Sequence, residues 1–389
     1  MRITGISELT VPLEGNIANA VVNFSEHTVS MVAVRSDVLR RGKAVTGYAF
    51  DSIGRFGQGG ILRERVIPRL MAAQPDDLLD QEGRRFDPAK VLTVAMRNEK
   101  PGGHGDRAAA VGAVELAFWD LNAKLNEEPA HVTIARHFGR PLEARGVPVY
   151  AAGGYYYPED GLGRLRDELR GYQAMGFSSF KIKIGGAALG VDLQRIEAAI
   201  NVAGGDGGHV AVDANGRFDI RMALEYAAAI APYGLRWFEE IGDPLDYDLN
   251  RQVVEAYAGP VATGENLFSV PDVKNLVRYG GMRPGHDVFQ MDPGLSYGLI
   301  EYGRMLETLE AYGYDRHSAH PHGGHLINLH IAVGLDIGGC EAYPNVFQPF
   351  GGYAPRCGIG DGVVRPTDAP GFGLEEKDTM HQIIARLKL

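Results

Sequence analysis

The pattern of hydrophobic and polar positions changes near residue 147. Before that point, three runs with alternating character predict antiparallel strands: ISELTVPL, HTVSMVAVRSD and KAVTGYAFD. Helical spacing follows near residues 61–74 and across 105–125. Strands followed by helices are typical of an α+β unit, and we predict such a unit over residues 1–128.

From residue 147 onward, short apolar strands alternate with amphipathic segments. In the first such segment Leu162, Leu165 and Leu169 step by three and four residues, as on one face of a helix. Eight candidate strands occur in this part: VPVYAAG, FKIKIGG, HVAVDAN, LRWFEEIG, VATGEN, HDVFQMD, RHSAHPH and DIGGCEAY. The alternation predicts a (β/α)7β barrel of the TIM type over residues 147–365. A doubly wound sheet is the alternative, but YAAGGYYYP lacks the glycine fingerprint that such a fold places after its first strand.

The remaining segment, residues 366–389, is rich in turn residues at its start. We expect it to return to the first unit, which would then cap the barrel.

Composition narrows the classes of partner. The 389 residues include 39 basic and 49 acidic side chains, which gives a net charge of −10 without any basic run. This balance argues against a nucleic-acid partner. The two cysteines, Cys340 and Cys357, have no CxxC spacing, so a cysteine zinc site is not indicated.

The first residues, MRITGISELTVPLEG, lack the basic and apolar regions of a signal peptide. The most apolar stretch, AAAVGAVELAFWDLNAK, contains acidic residues and is too short to cross a bilayer. We therefore expect a cytoplasmic location and no membrane partner.

Three acidic residues end consecutive barrel strands. Asp213, Glu239 and Glu265 are spaced 26 residues apart, from 213 to 239 and from 239 to 265. Because the carboxyl ends of parallel strands share one face of a barrel, we expect these side chains to converge. Without a cation they would repel one another, and an all-oxygen set suits Mg²⁺. The alternative is three unrelated acids that cap helices, which is harder to sustain for three residues in register.

Two neighbours belong to the same region. Strand alternation allows only one of Glu239 and Glu240 to face inward, and we assign Glu239 to the ion because it keeps the spacing. Glu240 is then expected to form a salt bridge behind it. Asn215 shares the face of Asp213 and is expected to contact the site.

The stretch FKIKIGG places Lys181 and Lys183 on the same face of a strand. A solvated pair at a strand edge is the usual interpretation of two such lysines, but the flanking apolar residues indicate a buried strand. We expect crowding by a second cation and by the metal ion to lower the amine pKa towards the working pH, so that a lysine can remove a proton.

The stretch HSAHPHGGH contains four histidines. A zinc site is a minor alternative, because a tight loop with Pro and Gly-Gly cannot easily aim them at one ion. Asp292 ends the preceding strand and could fix the tautomer of a histidine and raise its pKa. A lysine on one side and a His–Asp pair on the other would allow acid–base chemistry on both faces of a planar intermediate.

The quoted residues resemble the mandelate-racemase-like branch of the enolase superfamily. AVGAVELAFWDLNAK resembles one signature of the family, and VAVDANGRFD with WFEEIGDP resembles a second, although Ile241 stands where proline is usual. The resemblance implies a homo-oligomer with one Mg²⁺ per subunit. It further implies site roles for Asp213, Glu239 and Glu265 as metal ligands, Lys183 as base, Lys181 as its modulator, His322 with Asp292 as acid, and Glu341 near the substrate carboxylate.

Six shorter motifs resemble the D-tartrate dehydratases of that branch: NEKPGGHG, GGYYYP, ATGENLFS, RYGGMRP, PHGGH and FQPFGG. This implies dehydration of a small hydroxy dicarboxylate, D-tartrate to oxaloacetate and water. The second carboxylate needs its own partner, for which we consider Lys100, then Arg55, with Asn19 and Tyr156 as weaker candidates. Another acid-sugar dehydratase, a racemase or epimerase, and a non-catalytic metal-binding relative remain alternatives.

Overall fold

The computed structural model describes residues 1–15, 17–142, 146–157 and 160–389. It begins with a three-stranded antiparallel sheet in the order β1, β2, β3, as the alternating pattern predicts. The strands are β1 (Ile3–Pro12), β2 (Thr28–Arg40) and β3 (Lys43–Phe50).

Helices follow the sheet in the N-terminal domain. They are α1 (Gly59–Ile61), a π-helical turn (Leu62–Val66), α2 (Ile67–Met71), α3 (Pro88–Ala95), α4 (Asp106–Leu125) and α5 (Ala130–His137). The long helix α4 packs against β2 and β3 on one side and approaches the barrel on the other. This position explains why α4 is apolar around most of its circumference.

The second domain is a closed parallel barrel. Its strands are β4 (Val147–Ala152), β5 (Phe180–Lys183), β6 (Val210–Asp213), β7 (Trp237–Glu239), β8 (Val261–Thr263), β9 (Val288–Phe289) and β10 (Cys340–Ala342). The predicted seventh strand, RHSAHPH, contributes a single parallel bridge between Ala319 and Phe289. The ring closes because β10 pairs in parallel with β4.

A helix follows each of the first seven strand positions, and none follows β10 before the hairpin described next. The helices are α6 (Gly161–Ala174), α7 (Leu189–Val202), α8 (Ile220–Ile230), α9 (Tyr247–Ala256), α10 (Val270–Tyr279), α11 (Leu299–Ala311) and α12 (Leu326–Leu335). The predicted (β/α)7β fold is confirmed.

The chain after β10 returns to the N-terminal domain. A hairpin of β11 (Gly358–Gly360) and β12 (Val363–Arg365) pairs antiparallel with β4, and α13 (Asp378–Arg386) lies near the end of the chain. The N–H of Phe372 donates to Asp120 of α4 at 2.6 Å, and Lys124 of α4 pairs with Glu375. The tail therefore packs against α4.

Side chains inside the barrel form two layers. Tyr150, Ala211, Trp237 and Ala262 pack together in the interior. The inward face of β5 carries Lys181 and Lys183, whereas its alternate residues join the large core outside the strands. The layer of polar side chains thus packs on the layer formed by Tyr150, Ala211, Trp237 and Ala262, and it lies at the carboxyl ends of the strands.

In the ranges given above, we find no helix with both the length and the apolar character needed to cross a bilayer.

Candidate active site

A cavity of about 150 Å³ lies at the carboxyl ends of the barrel strands, beneath the N-terminal domain. The barrel domain lines it with Tyr155, Lys183, Asn215, Glu240, Glu265, Asn266, His322, Tyr343 and Phe347. The N-terminal domain covers it with Asn19, Val21, Val22, Phe24, Ile53, Gly54 and Arg55.

The two lysines differ in depth and in partners. Lys183 reaches the cavity, and its Nζ donates to Asp213 Oδ2 at 2.6 Å. Lys181 is fully buried below it, where its Nζ donates to Glu239 and lies 2.7 Å from Glu341 Oε1. Burial disfavours the charge on Lys181, but the surrounding carboxylates outweigh burial and hold its pKa well above the usual value. The expectation of a lowered amine pKa included the charge of the metal ion, and the acids alone act on Lys181 in the opposite direction.

The acids at the strand ends are crowded. Asp213 and Glu239 are register partners on β6 and β7. Burial and the nearby charges of Asp213, Glu341 and Glu265 raise the pKa of Glu239 to about 7, against the opposing effect of Lys181. Burial, with repulsion from Glu265 and Asp213, also raises the pKa of Glu240 well above its usual value. The two lysines are therefore too few to keep all of these carboxyl groups ionised.

This donor set suits a hard divalent cation, because carboxylate oxygens are the ligands that Mg²⁺ prefers and the cation would remove their repulsion. In their present positions, however, no three His, Cys, Asp or Glu side chains of the described ranges converge on one point. Lys183 lies against Asp213, and both oxygens of Glu239 accept hydrogen bonds, one from Lys181 and the other from Trp237 Nε1 and Gln290 Nε2. Binding an ion therefore requires these side chains to turn.

Glu240 departs from the strand pattern. Its φ of 39° is left-handed, so β7 has ended and the alternation rule no longer applies. The side chain lines the cavity, where Oε1 accepts a hydrogen bond from Asn266 Nδ2 at 2.6 Å. Among the residues that the structure describes, the partner of Glu240 is Asn266, and no basic side chain forms the expected salt bridge with it.

On the other side of the cavity, His322 and Asp292 form a buried pair. The Nδ1 of His322 lies 3.0 Å from Asp292 Oδ2, and its Nε2 lies 3.7 Å from Glu265 Oε2. Burial alone would lower the pKa of His322, but Glu265, Asp292 and Glu341 together raise it to about 9. These carboxylates therefore favour the protonated ring, which would present an acidic N–H to the cavity.

Asp292 is held in turn by donors on its far side. Its Oδ1 accepts hydrogen bonds from the Gly294 N–H at 2.8 Å and from Asn328 Nδ2 at 3.0 Å. With Oδ1 satisfied, Oδ2 faces His322. This arrangement keeps the proton of the pair on Nδ1 of the ring.

The sequence matches the enolase C-terminal domain-like family over residues 164–380. The chain belongs to this family. The match confirms the resemblance to the enolase superfamily and to its mandelate-racemase-like branch.

Characterised relatives cover most of the chain. An arabinonate dehydratase from Saccharolobus solfataricus is 26% identical over 323 residues, which are 82% of this chain and 80% of the relative. A 3,6-anhydro-alpha-L-galactonate cycloisomerase from Streptomyces coelicolor is 29% identical over 286 residues, 70% of either chain.

Solved structures of the superfamily share the fold. A racemase from Streptomyces coelicolor A3(2) with bound magnesium has a TM-score of 0.77 at 23% identity and covers 100% of both chains. The L-talarate/galactarate dehydratase from Salmonella typhimurium LT2 has a TM-score of 0.77 at 20% identity, over 99% of this chain and 91% of the other. At these identities the structures establish the barrel and its N-terminal domain.

In this enolase-family chain, several predicted substrate residues do lie at the cavity. Arg55 donates to Asn266 and stacks over Phe268 at 5.5 Å, while Asn215 donates to Asp213 Oδ2 at 3.2 Å. Asn19 lines the cavity, but its Oδ1 already accepts two backbone N–H groups. Glu341 lies just below, paired with Lys181.

Two predicted residues do not reach the cavity. Lys100 is exposed, and its carbonyl accepts a hydrogen bond from Arg107 at the edge of the N-terminal domain. Tyr156 turns away, because its hydroxyl donates to Asp192 of α7 at 2.8 Å and its ring stacks on Arg195. Both assignments are corrected by these contacts.

Sequence reasoning missed two tyrosines that line the cavity. The ring of Tyr155 lies 5.4 Å from Lys183 Nζ, and the hydroxyl of Tyr343 lies 3.1 Å from His322 Nε2. The motif GGYYYP contains Tyr155 beside Tyr156, and only the path of the loop after β4 decides which of them faces inward. Tyr343 follows Glu341 by two residues, a spacing that could have indicated a shared face.

Proposed function

We propose that this protein is a Mg²⁺-dependent dehydratase of a small hydroxy acid, and that D-tartrate, converted to oxaloacetate and water, is its substrate. The observation that carries the proposal is that Lys183 and His322, which is paired with Asp292, line one small cavity together with strand-end acids. A base and an acid at one cavity are the two groups that elimination of water requires.

We assign the metal ligands to Asp213, Glu239 and Glu265. Mg²⁺ bound to them would supply the positive charge that stabilises the carboxylate of the substrate as negative charge builds up on it. Lys181, fixed among the same acids, would add its own positive charge next to that carboxylate.

We assign the two proton transfers to the groups on opposite sides of the cavity, Lys183 and His322. Lys183 Nζ takes the proton from the carbon next to the substrate carboxylate, and the electron pair of that C–H bond moves towards the carboxylate. When the pair returns, the C–O bond on the neighbouring carbon breaks, and the hydroxyl leaves as water with the proton from His322 Nε2. The enol that remains becomes a 2-keto acid, so D-tartrate gives oxaloacetate and one water.

The surroundings of His322 suit the role of acid. The carboxylates of Glu265, Asp292 and Glu341 raise its pKa to about 9, which favours the charged ring. A racemase would use the same lysine and the same charged histidine in one direction, so the two reactions are separated by the assay described below.

The cavity also favours a short, doubly charged substrate. Its volume of about 150 Å³ is below the roughly 300–1,000 Å³ of pockets for drug-sized ligands. Arg55 lies on the covering side of the cavity, and Glu265 lies on the barrel side. The guanidinium and a Mg²⁺ held by the strand-end acids would suit two carboxylates of one molecule, as in tartrate.

The relatives support the reaction class. The arabinonate and L-talarate/galactarate dehydratases act on hydroxy acids, and the racemase was solved with magnesium. The cytoplasmic location and the homo-oligomeric state stay predictions.

The test is a panel of four- to six-carbon hydroxy diacids and sugar acids, incubated with Mg²⁺ and assayed for 2-keto acid. We expect oxaloacetate from D-tartrate, and none with Lys183→Ala. A run in D₂O separates the alternatives, because a racemase would give inverted or deuterated tartrate without keto acid. No turnover of any member of the panel would support a non-catalytic relative.

A further inference from the structure

Two buried residues behind Asp292 have no role in the reaction described above. Ser52 belongs to the N-terminal domain and lies two residues after the end of β3, whereas His325 precedes α12 of the barrel. Both are fully buried, and Ser52 Oγ lies 2.9 Å from His325 Nε2.

The backbone fixes the tautomer of His325. Its Nδ1 accepts the N–H of Asn328 at 3.3 Å, as the side chain that caps the first turn of α12. Burial lowers the pKa of His325 to about 4, so the ring is neutral and carries one proton. Because Nδ1 is an acceptor, that proton is on Nε2 and is donated to Ser52 Oγ.

The hydroxyl of Ser52 must then donate elsewhere. Its oxygen already accepts from His325, and the side chain lies close enough to Asp292 to lower the pKa of that carboxyl. Asp292 also accepts from Gly294, Asn328 and His322, so the Ser52 hydroxyl would be its fourth donor.

The space around this contact is closed. Gly323 has a φ of +113°, and a Cβ at that position would lie 2.5 Å from Ser52 Oγ and 2.7 Å from Asp292 Oδ2. A side chain at residue 323 would therefore separate the hydroxyl from the carboxylate.

We infer that Ser52 and His325 are positioning residues for the acid His322, through a chain of hydrogen bonds. In this chain the Asn328 N–H donates to His325, His325 donates to Ser52, and Ser52 donates to Asp292, which also accepts from His322. This inference rests on the proposed function for its effect on turnover, but the chain itself is a property of the resting protein. Neither residue touches the cavity; both act by orienting Asp292.

The hydrogen-bond chain links the acid His322 to the position of the N-terminal domain on the barrel. The N–H of Ser52 donates to the Gly294 carbonyl at 3.3 Å, so the segment is bound to the loop that carries Asp292. Ile53, Gly54 and Arg55, which cover the cavity, follow Ser52 directly. The segment that closes the site over a substrate thus also supplies the hydroxyl that orients the acid.

The first test needs no substrate. Spectra of the Mg²⁺-loaded protein with ¹⁵N-labelled histidine, assigned with His325→Asn, should show His325 protonated at Nε2 and bare at Nδ1. In Ser52→Ala, the signal of the His322 Nδ1–H should shift, because Asp292 loses a donor. The opposite tautomer of His325, or an unchanged His322 signal in Ser52→Ala, would overturn the inference.

The second test uses a matched pair at residue 325. Asn keeps an acceptor for the Asn328 N–H but lacks the donor to Ser52, whereas Gln places an N–H near the position of Nε2. We expect Ser52→Ala and His325→Asn each to lower kcat for dehydration roughly 10- to 100-fold, with KM within about twofold. His325→Gln should recover much of the loss.

The double variant Ser52→Ala/His325→Asn should be no slower than the slower single variant, because both changes break one chain. Multiplied losses, or a Ser52→Ala enzyme as fast as the wild type, would overturn the inference. A wild-type protein that releases no keto acid would instead contradict the proposed function, and the spectra would still decide the hydrogen-bond chain.

Discussion

Replacement of Asp292 by Asn tests the acid side of the site with almost no change in shape. The Asn oxygen should take the position of Oδ1, because two donors, Gly294 N–H and Asn328 Nδ2, point at it from 2.8 and 3.0 Å. The amide NH₂ then faces Nδ1 of His322, which must become an acceptor. The ring loses both its anionic partner and the tautomer that the carboxylate enforces.

The size of the effect follows from the geometry. For the 3.0 Å between His322 Nδ1 and Asp292 Oδ2, an effective dielectric constant of about 20 gives an attraction of roughly 5 kcal/mol. At 1.36 kcal/mol per pH unit, losing this attraction lowers the pKa of His322 by about three to four. The value then falls from about 9 to near or below the ordinary value of about 6.5.

The direction of the pKa shift determines the pH profile. Because the pKa of His322 is raised, the ring stays charged below that raised pKa and loses its proton as the pH rises through it. Mg²⁺ at Glu265 would weaken the strongest attraction that raises this pKa, so the alkaline limb of the wild type should lie between about 6.5 and about 9. In Asp292→Asn the limb moves to lower pH, and a general acid is worth roughly 100- to 10,000-fold in rate.

The assay is the rate of keto-acid release from D-tartrate between about pH 5.5 and 9.5, with Mg²⁺ saturating. We expect Asp292→Asn to be at least about 100-fold slower at pH 8. Asp315→Asn is the matched control, because it removes the carboxylate of an exposed His–Asp pair, 2.8 Å from His317 Nδ1. An alkaline limb that stays in place in Asp292→Asn would refute the reasoning.

Three further predictions concern the ion, the substrate and the domain interface. Glu239→Gln and Glu265→Gln should weaken Mn²⁺ binding, followed by electron paramagnetic resonance, at least about tenfold, whereas Glu240→Gln should retain it; equal binding in all three would contradict the ligand assignment. Arg55→Ala should raise KM for D-tartrate roughly 10- to 100-fold with a small change in kcat, and Arg55→Lys less, since a charged hydrogen bond contributes about 1.5–3 kcal/mol; an unchanged KM would exclude Arg55 as a carboxylate partner. Glu115→Ala should lower stability by about 3 kcal/mol in urea unfolding, because Glu115 accepts from Trp119 Nε1 and from the N–H groups that begin α11; a wild-type midpoint would contradict this.

The regular parts of the site could be predicted from the sequence because strand alternation is a local rule. It correctly placed Lys181 and Lys183 on the inner face of β5. Asp213 and Glu239 each end a strand of consecutive β/α units, and they lie at the same end of the barrel as predicted. Adjacent strands likewise predicted that Asp292 pairs with a histidine, and the family resemblance identified that histidine as His322, which the structure places 3.0 Å away.

The rest depended on contacts and backbone geometry that no local rule contains. Glu240 enters the cavity because its left-handed φ breaks the alternation. Tyr156 and Lys100 were misplaced because loops connect them to the barrel, and the loop path, set by contacts such as that with Asp192, decides where a side chain points. The raised pKa of Lys181 reflects how many acids surround it, which only the folded chain reveals.

The central claim is that Lys183 and His322 act on one substrate as separate base and acid. It is tested most directly by exchange of the α-proton of D-tartrate in D₂O, measured by NMR for Lys183→Ala and His322→Asn beside the wild type. We predict that His322→Asn still exchanges the α-proton while it releases little keto acid, and that Lys183→Ala does neither. Exchange that survives in Lys183→Ala, or disappears only in His322→Asn, would contradict the account.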